Sequence, residues 1–281
     1  MRIHFEHVST NGIRLHTALA GPEDGNPVFL LHGFPDAWFG WEQQIQPLAD
    51  AGLRVIVPDQ RGYNLSDKPQ GVASYRMDIL VEDILGLADA FGHKRFHLAG
   101  HDFGAMVGWN LAMRCPERVK RLAIANVPHP MVMGRFLRTR PSQMLKSWYA
   151  LFFQLPRLPE WFVQLGDWRF LIAAMPEDLT SEARDRYRQA WSQPNAMSSM
   201  INWYRASLRQ SGASASSPII QVPTLVLWGK QDPHLSHEMA QPSVDLCENG
   251  RLVTFEDATH WVMQDKPAEV NQQLIQHFSE P

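Results

Sequence analysis

The sequence predicts an α/β protein: a mostly parallel central sheet flanked by helices, with one inserted helical block. Three observations predict it. Short apolar runs bounded by turn residues recur along the chain, segments of helical period alternate with them, and the alternation stops once, over residues 130–217.

The first element is a hairpin. Residues 3–20 alternate around Asn11-Gly12, a dipeptide that accepts the positive φ angles of a tight turn, and predict two antiparallel edge strands. Six apolar runs follow, at residues 27–31, 54–57, 96–99, 121–125, 223–228 and 251–255; they read as strands buried on both faces. Residues 75–91 and 103–115 have the apolar spacing of covering helices, and this alternation specifies parallel strands. Residues 130–217 show helical spacing, no convincing strand and five of the ten tryptophans (Trp148, Trp161, Trp168, Trp191, Trp203), which predicts a helical cap that packs most of them. Its last residues, from Ser211 to Ser217, read as a linker back to the core. The expected organisation is therefore a core of residues 1–129 and 218–281 around a cap of residues 130–217.

Composition narrows the partners. A net charge of -3, mixed in sign along 281 residues, leaves no nucleic-acid footprint, and no stretch approaches a membrane span. Cys115 and Cys247 form no disulfide framework, and His4, Glu6 and His7 interrupt any signal-peptide run. A cytoplasmic protein, monomeric or homodimeric, that acts on a small molecule is expected.

The chemistry centres on Gly100-His101-Asp102-Phe103-Gly104, which joins a strand to a helix and so has the context of a nucleophile elbow. Asp102 at its centre also reads as a helix N-cap. As a nucleophile it needs no activating base, because a carboxylate of ordinary pKa about 3.9 is ionised at neutral pH; attack on carbon forms an ester that must then be hydrolysed. The partners follow in the chain order acid, then histidine. Asp232 ends a late strand, His260 follows the last one, and both fall at the carboxyl edge of the sheet. His260 is expected to activate water and Asp232 to orient its ring. Asn126, at the alternative acid position, carries no charge. In Leu31-His32-Gly33-Phe34-Pro35 the backbone N–H of Phe34 is placed to form an oxyanion hole with that of Phe103, each donor worth about 3 kcal/mol. The loop Asp232-Pro233-His234-Leu235-Ser236-His237 carries two imidazoles without a third convincing ligand, so neither metal nor cofactor is expected.

Together with His32-Gly33-Phe34-Pro35-Asp36-Ala37-Trp38 and Asp59-Gln60-Arg61-Gly62-Tyr63-Asn64-Leu65-Ser66-Asp67, these segments resemble the α/β-hydrolase-fold epoxide hydrolases, the soluble microbial members in particular, over nearly the whole chain. Ser147-Trp148-Tyr149-Ala150-Leu151-Phe152-Phe153-Gln154 and Asn202-Trp203-Tyr204-Arg205 look like that family's two lid-tyrosine motifs. The resemblance implies conversion of an epoxide to a vicinal diol, with Tyr149 and Tyr204 binding the epoxide oxygen. Trp38, Pro35 and His101 are expected on the pocket wall, and Trp38, Phe34 and the cap aromatics suggest apolar or aryl-bearing epoxides. Haloalkane and haloacid dehalogenases share the aspartate nucleophile. The former place a tryptophan after it and fluoroacetate dehalogenases place arginines beside it, where this chain has Phe103 and Met106. A non-catalytic ligand-binding member of the fold is the remaining alternative.

Overall fold

Apolar alternation decides how the central strands sit. In β3 (Asn26–Leu31), Val28 and Leu30 pack into one apolar cluster with Trp41, Ile45 and Leu274, whereas Phe29 and Leu31 face the opposite cluster with Ile84 and Leu111. A strand apolar on both faces must be covered on both, and the core therefore lies in two layers either side of the sheet. The computed structural model describes residues 3–209 and 217–280, and its eight-stranded sheet has the order β1-β2-β4-β3-β5-β6-β7-β8.

Strands β1 (His4–Thr10) and β2 (Ile13–Ala20) form the expected hairpin, with φ of 44° at Asn11 and 76° at Gly12. Of these two, β1 alone is an edge strand; β2 continues antiparallel onto β4 (Leu53–Pro58). The remaining strands β5 (Phe96–His101), β6 (Val119–Ala125), β7 (Thr224–Gly229) and β8 (Gly250–Phe255) pair parallel. The expectation of full burial fails at β8, where no residue is buried. It closes the far edge of the sheet, so one side of its ladder has no strand to cover it.

Helices α1 (Glu42–Asp50), α2 (Met77–Ala90) and α3 (Phe103–Arg114) follow their strands in the core. Between β6 and β7 the described residues form six helices and no strand: α4 (Pro130–Thr139), α5 (Pro141–Lys146), α6 (Trp148–Phe152), α7 (Leu158–Ile172), α8 (Ser181–Trp191) and α9 (Ala196–Arg209). α7 kinks where Gly166, Asp167 and Trp168 take positive φ in succession. The linker expected from Ser211 to Ser217 lies, Ser217 apart, outside the described residues. Three short or terminal helices complete the core: α10 (Ala240–Val244), α11 (Val262–Asp265) and α12 (Pro267–Ser279).

Three of the five tryptophans in the helical segment are buried, and the indoles of two of them bind it to the core. Trp191 donates to Pro35 O at 2.5 Å and Trp203 to Arg61 O at 3.0 Å, while Trp168 packs on Trp191. Trp148 and Trp161 stay exposed. No helix among the described residues is long and apolar enough to cross a membrane.

Candidate active site

Parallel strands bring their carboxyl ends to one edge, and three loops at that edge carry the charged residues. Asp102 follows β5 with φ 49° and ψ -122°, a conformation that costs a non-glycine residue energy and holds its carboxylate above the sheet. The neighbouring glycines permit the turn. A Cβ on Gly100 would come within 2.5 Å of Gly104 O, and one on Gly104 within 2.6 Å of His32 O. No side-chain capping bond forms at Asp102, so the helix-cap reading of this residue fails. Its Oδ1 instead accepts the Phe34 N–H at 2.7 Å. A Cβ on Gly33 would lie 2.3 Å from Asp102 Oδ1 and 2.6 Å from Phe103 N, so the loop that carries Phe34 lies directly against the elbow.

His260, after β8, directs Nε2 toward Asp102 Oδ2 at 3.7 Å. Its Nδ1 is 2.7 Å from Asp232 Oδ2, and that contact fixes the ring orientation. Asp232, after β7, is fully engaged. Oδ1 accepts the backbone N–H groups of His234 and Leu235 at 2.7 and 2.9 Å, and Oδ2 accepts Asn126 Nδ2 at 2.9 Å. Burial alone would raise the Asp232 pKa, but the His260 charge and these donors hold it at about 2. Burial likewise opposes the charged form of His260, and the Asp232 and Asp102 carboxylates overcome it, raising the imidazole to about 10. For Asp102, burial is outweighed by His260 and the Phe34 N–H, and its pKa falls below the usual value.

Asn126, which the sequence excluded as an acid, supports the acid. Besides Asp232, its amide spans the Gly229 N–H at 2.8 Å and the Thr259 carbonyl at 3.1 Å, joining the β7 and β8 loops. Its φ of 51° is the accompanying backbone cost. The His32 loop is pinned in turn by the Gln60 N–H, which donates to His32 Nε2 at 3.0 Å.

Above Asp102 lies a cavity of about 680 Å3 whose walls include Phe34, Pro35, Phe153 and Phe170. Tyr149 and Tyr204 also line it, their rings 5.9 Å apart and edge-to-face. Tyr204 packs on Phe103 at 4.6 Å and on Phe34 at 5.2 Å, which sets it over both residues expected to supply the oxyanion donors. Neither hydroxyl has a hydrogen-bond partner among the described residues. Burial, reinforced by the Asp102 charge, pushes both phenols above the normal tyrosine pKa. The two are clamped together by Arg205 on α9, which donates to Phe153 O at 3.0 Å, Leu155 O at 2.6 Å and Glu160 Oε1 at 2.6 Å; Gln154 Nε2 reaches Tyr204 O at 3.1 Å. Nothing in local sequence spacing announces this clamp.

Of the three residues expected on the pocket wall, Pro35 is there and Trp38 and His101 are not. Trp38 turns toward β1 and packs on Phe5 at 4.9 Å, its backbone held by Asp59. His101, the last residue of β5, is fully buried; its Nε2 is 2.9 Å from His260 O, so it supports the His260 loop from below. Trp148 lines the cavity as one of the cap aromatics expected at the pocket, and His234 lines it without having been expected there. Among the described residues no group of three or more His, Cys, Asp or Glu side chains is arranged to hold a metal ion.

This arrangement of strands, elbow and strand-end loops is that of the alpha/beta hydrolase fold, whose family pattern the chain matches over residues 26–267; the chain belongs to that family. Among its relatives, the AB hydrolase superfamily protein YfhM of Bacillus subtilis (strain 168) is 46% identical, over 97% of this chain and 97% of its own length. Human epoxide hydrolase 4 is 36% identical, over 95% of this chain and 76% of its own length. A solved structure of a Bacillus megaterium epoxide hydrolase variant, complexed with its naphthyloxy-propanediol product, aligns with a TM-score of 0.90 at 30% identity, covering 98% of this chain and all of that one.

Proposed function

We propose that the protein is an epoxide hydrolase working through a covalent ester on Asp102. The observation that carries this reading is the placement of a carboxylate nucleophile and two unpartnered phenols around one cavity. A nucleophile that is already anionic suits attack on carbon, and neutral phenols suit the oxygen that departs from that carbon.

In the first step Asp102 Oδ2 attacks a ring carbon and the C–O bond breaks. The released oxygen is bound by Tyr149 and Tyr204 and gains a proton. In the second, neutral His260 takes a proton from water, which attacks Asp102 Cγ, and the oxyanion forms on Oδ1 opposite the Phe34 and Phe103 N–H groups. Collapse releases the diol and restores the carboxylate. Esterification removes one of the two anions that hold His260 protonated, and so lowers its pKa when a base is required. Phe34, Phe153, Phe170 and Trp148 make the wall aromatic, which favours apolar and aryl-bearing epoxides. The residue after the nucleophile presents only ring carbon to the site, packed on Tyr204 and Trp203, and offers no side-chain donor to a leaving halide.

A single turnover in heavy-oxygen water tests the route. The label is expected in Asp102 and the first diol is expected to be unlabelled; label in the first diol refutes the ester. The role of Asn126 is tested separately. Asn126→Ala leaves Asp232 Oδ2 with His260 alone and loosens that ring, and is expected to slow ester hydrolysis by about 10- to 100-fold while leaving ester formation near the parent rate, as followed by rapid-quench mass spectrometry.

A further inference from the structure

The covalent cycle makes two proton demands at the same moment. The oxygen freed by ring opening needs a proton, and His260, held as an imidazolium by two carboxylates, must lose one before it can act on water. One transfer meets both, provided a group connects the imidazolium with the phenols.

His234 is that group by position. Its ring lies 5.5 Å from His260 and 5.7 Å from Tyr149, centroid to centroid, and meets both nearly perpendicularly. Among the described residues it is the one aromatic ring in contact with both; the other ring neighbours of His260 are His101 and Trp261, and those of Tyr149 are Phe153 and Tyr204. His234 lines the cavity, whereas His101, the other imidazole against His260, is sealed beneath it. Its backbone is fixed at both ends, the N–H by Asp232 Oδ1 at 2.7 Å and the carbonyl by Gln143 Nε2 at 2.8 Å. Its ring nitrogens have no hydrogen-bond partner among the described residues. We propose that His234 relays the proton of the His260 imidazolium to Tyr149 after epoxide opening.

The transfer balances. Tyr149 gives its phenolic proton to the new alkoxide and becomes phenolate. One ring nitrogen of His234 gives its N–H to that phenolate while the other accepts the proton leaving His260. The phenol is restored, His260 is neutral, and His234 is left in its other tautomer, which exchange with water resets. A neutral imidazole has one donor and one acceptor nitrogen, as this requires. Burial, with the His260 charge adding to it, pushes His234 down to about 4, so it rests neutral. The charged groups facing it are His260, Asp232, Asp102 and Lys146, whose Nζ is anchored on Asp232 O at 3.0 Å.

The relay rests on the covalent reading above. It is tested with His234→Phe and His234→Asn, using a neutral aryl glycidyl ether and stopped-flow tryptophan fluorescence with rapid-quench mass spectrometry. Ester formation is expected within about threefold of the parent and ester hydrolysis at least about tenfold slower, so that ester accumulates. In the variants hydrolysis is expected to rise with pH, because His260 must lose its proton to solvent, where the parent is flat; added imidazole is expected to restore the rate in His234→Phe. Parent-like hydrolysis with a parent-like pH profile overturns the relay, as does a parallel fall in both steps. A parent enzyme that forms no ester with any epoxide overturns the covalent reading and the relay with it.

Discussion

A His260→Gln variant is expected to consume one epoxide per active site and then stop. Asp102 Oδ1 keeps its Phe34 donor and the phenols are untouched, so opening of the epoxide proceeds. Water then has no base, and turnover is expected to fall about 1,000-fold. Intact-protein mass spectrometry is the readout: the protein gains the mass of the epoxide, and peptide mapping places the adduct on Asp102. Steady turnover within tenfold of the parent sinks the assignment of His260. An adduct on any other residue sinks that of Asp102.

The second large effect is on stability in acid. Five buried imidazoles, His32, His97, His101, His129 and His277, are pushed below their usual pKa of 6.5 by burial, His97 and His101 to about 3 and His129 and His277 to about 4. Each folded pKa lies below the unfolded one, so the stability these groups contribute is full above pH 6.5 and is lost as the pH falls toward the folded values. Asp36, raised to about 7 by burial, and Asp83, raised likewise, act in the opposite sense. His97, His101, His129 and His277, set against Asp36, thus make unfolding near pH 5 take up about three protons, or roughly 4 kcal/mol per pH unit, which is comparable to the total stability of many domains. The denaturation midpoint in urea is expected to drop steeply between pH 6.5 and 5 and, because folding holds His260 charged to about 10, to decline gently from 7 to 8. His97→Phe, on the far side of the sheet against Phe278, is expected to make the drop shallower with activity unchanged. A level midpoint down to pH 5 contradicts the neutral, buried state of these rings.

What the sequence reveals of the site follows from what sets each position. Asp102, Asp232 and His260 are legible because each ends a strand of a parallel sheet, and the topology of the sheet delivers strand ends to one edge without reference to side-chain packing. Trp38 and His101 are misplaced by the same reading. Their direction depends on which neighbour has room, Phe5 for the one and the underside of the His260 loop for the other, and both contacts are remote in sequence. β8 reads as buried because its apolar run resembles the others; that it closes the sheet is a property of the strand order. Asn126 and Arg205 are silent for a further reason. Their value lies in hydrogen bonds to backbone atoms of distant loops, which no spacing rule encodes. His234 was read only as an unconvincing metal ligand, and its importance appears when the rings on either side of it are located.

The Arg205 clamp has a consequence for how substrate is admitted. With the guanidinium fastening Phe153, Leu155 and Glu160 to the helix that carries Tyr204, the segments bearing the two phenols form one mechanical block. Any displacement of that block that opens a path for an epoxide lifts both hydroxyls from Asp102 together. On the proposed route the grip on the epoxide oxygen is therefore all or none, and a partly open cap does not present a single phenol to an alkoxide.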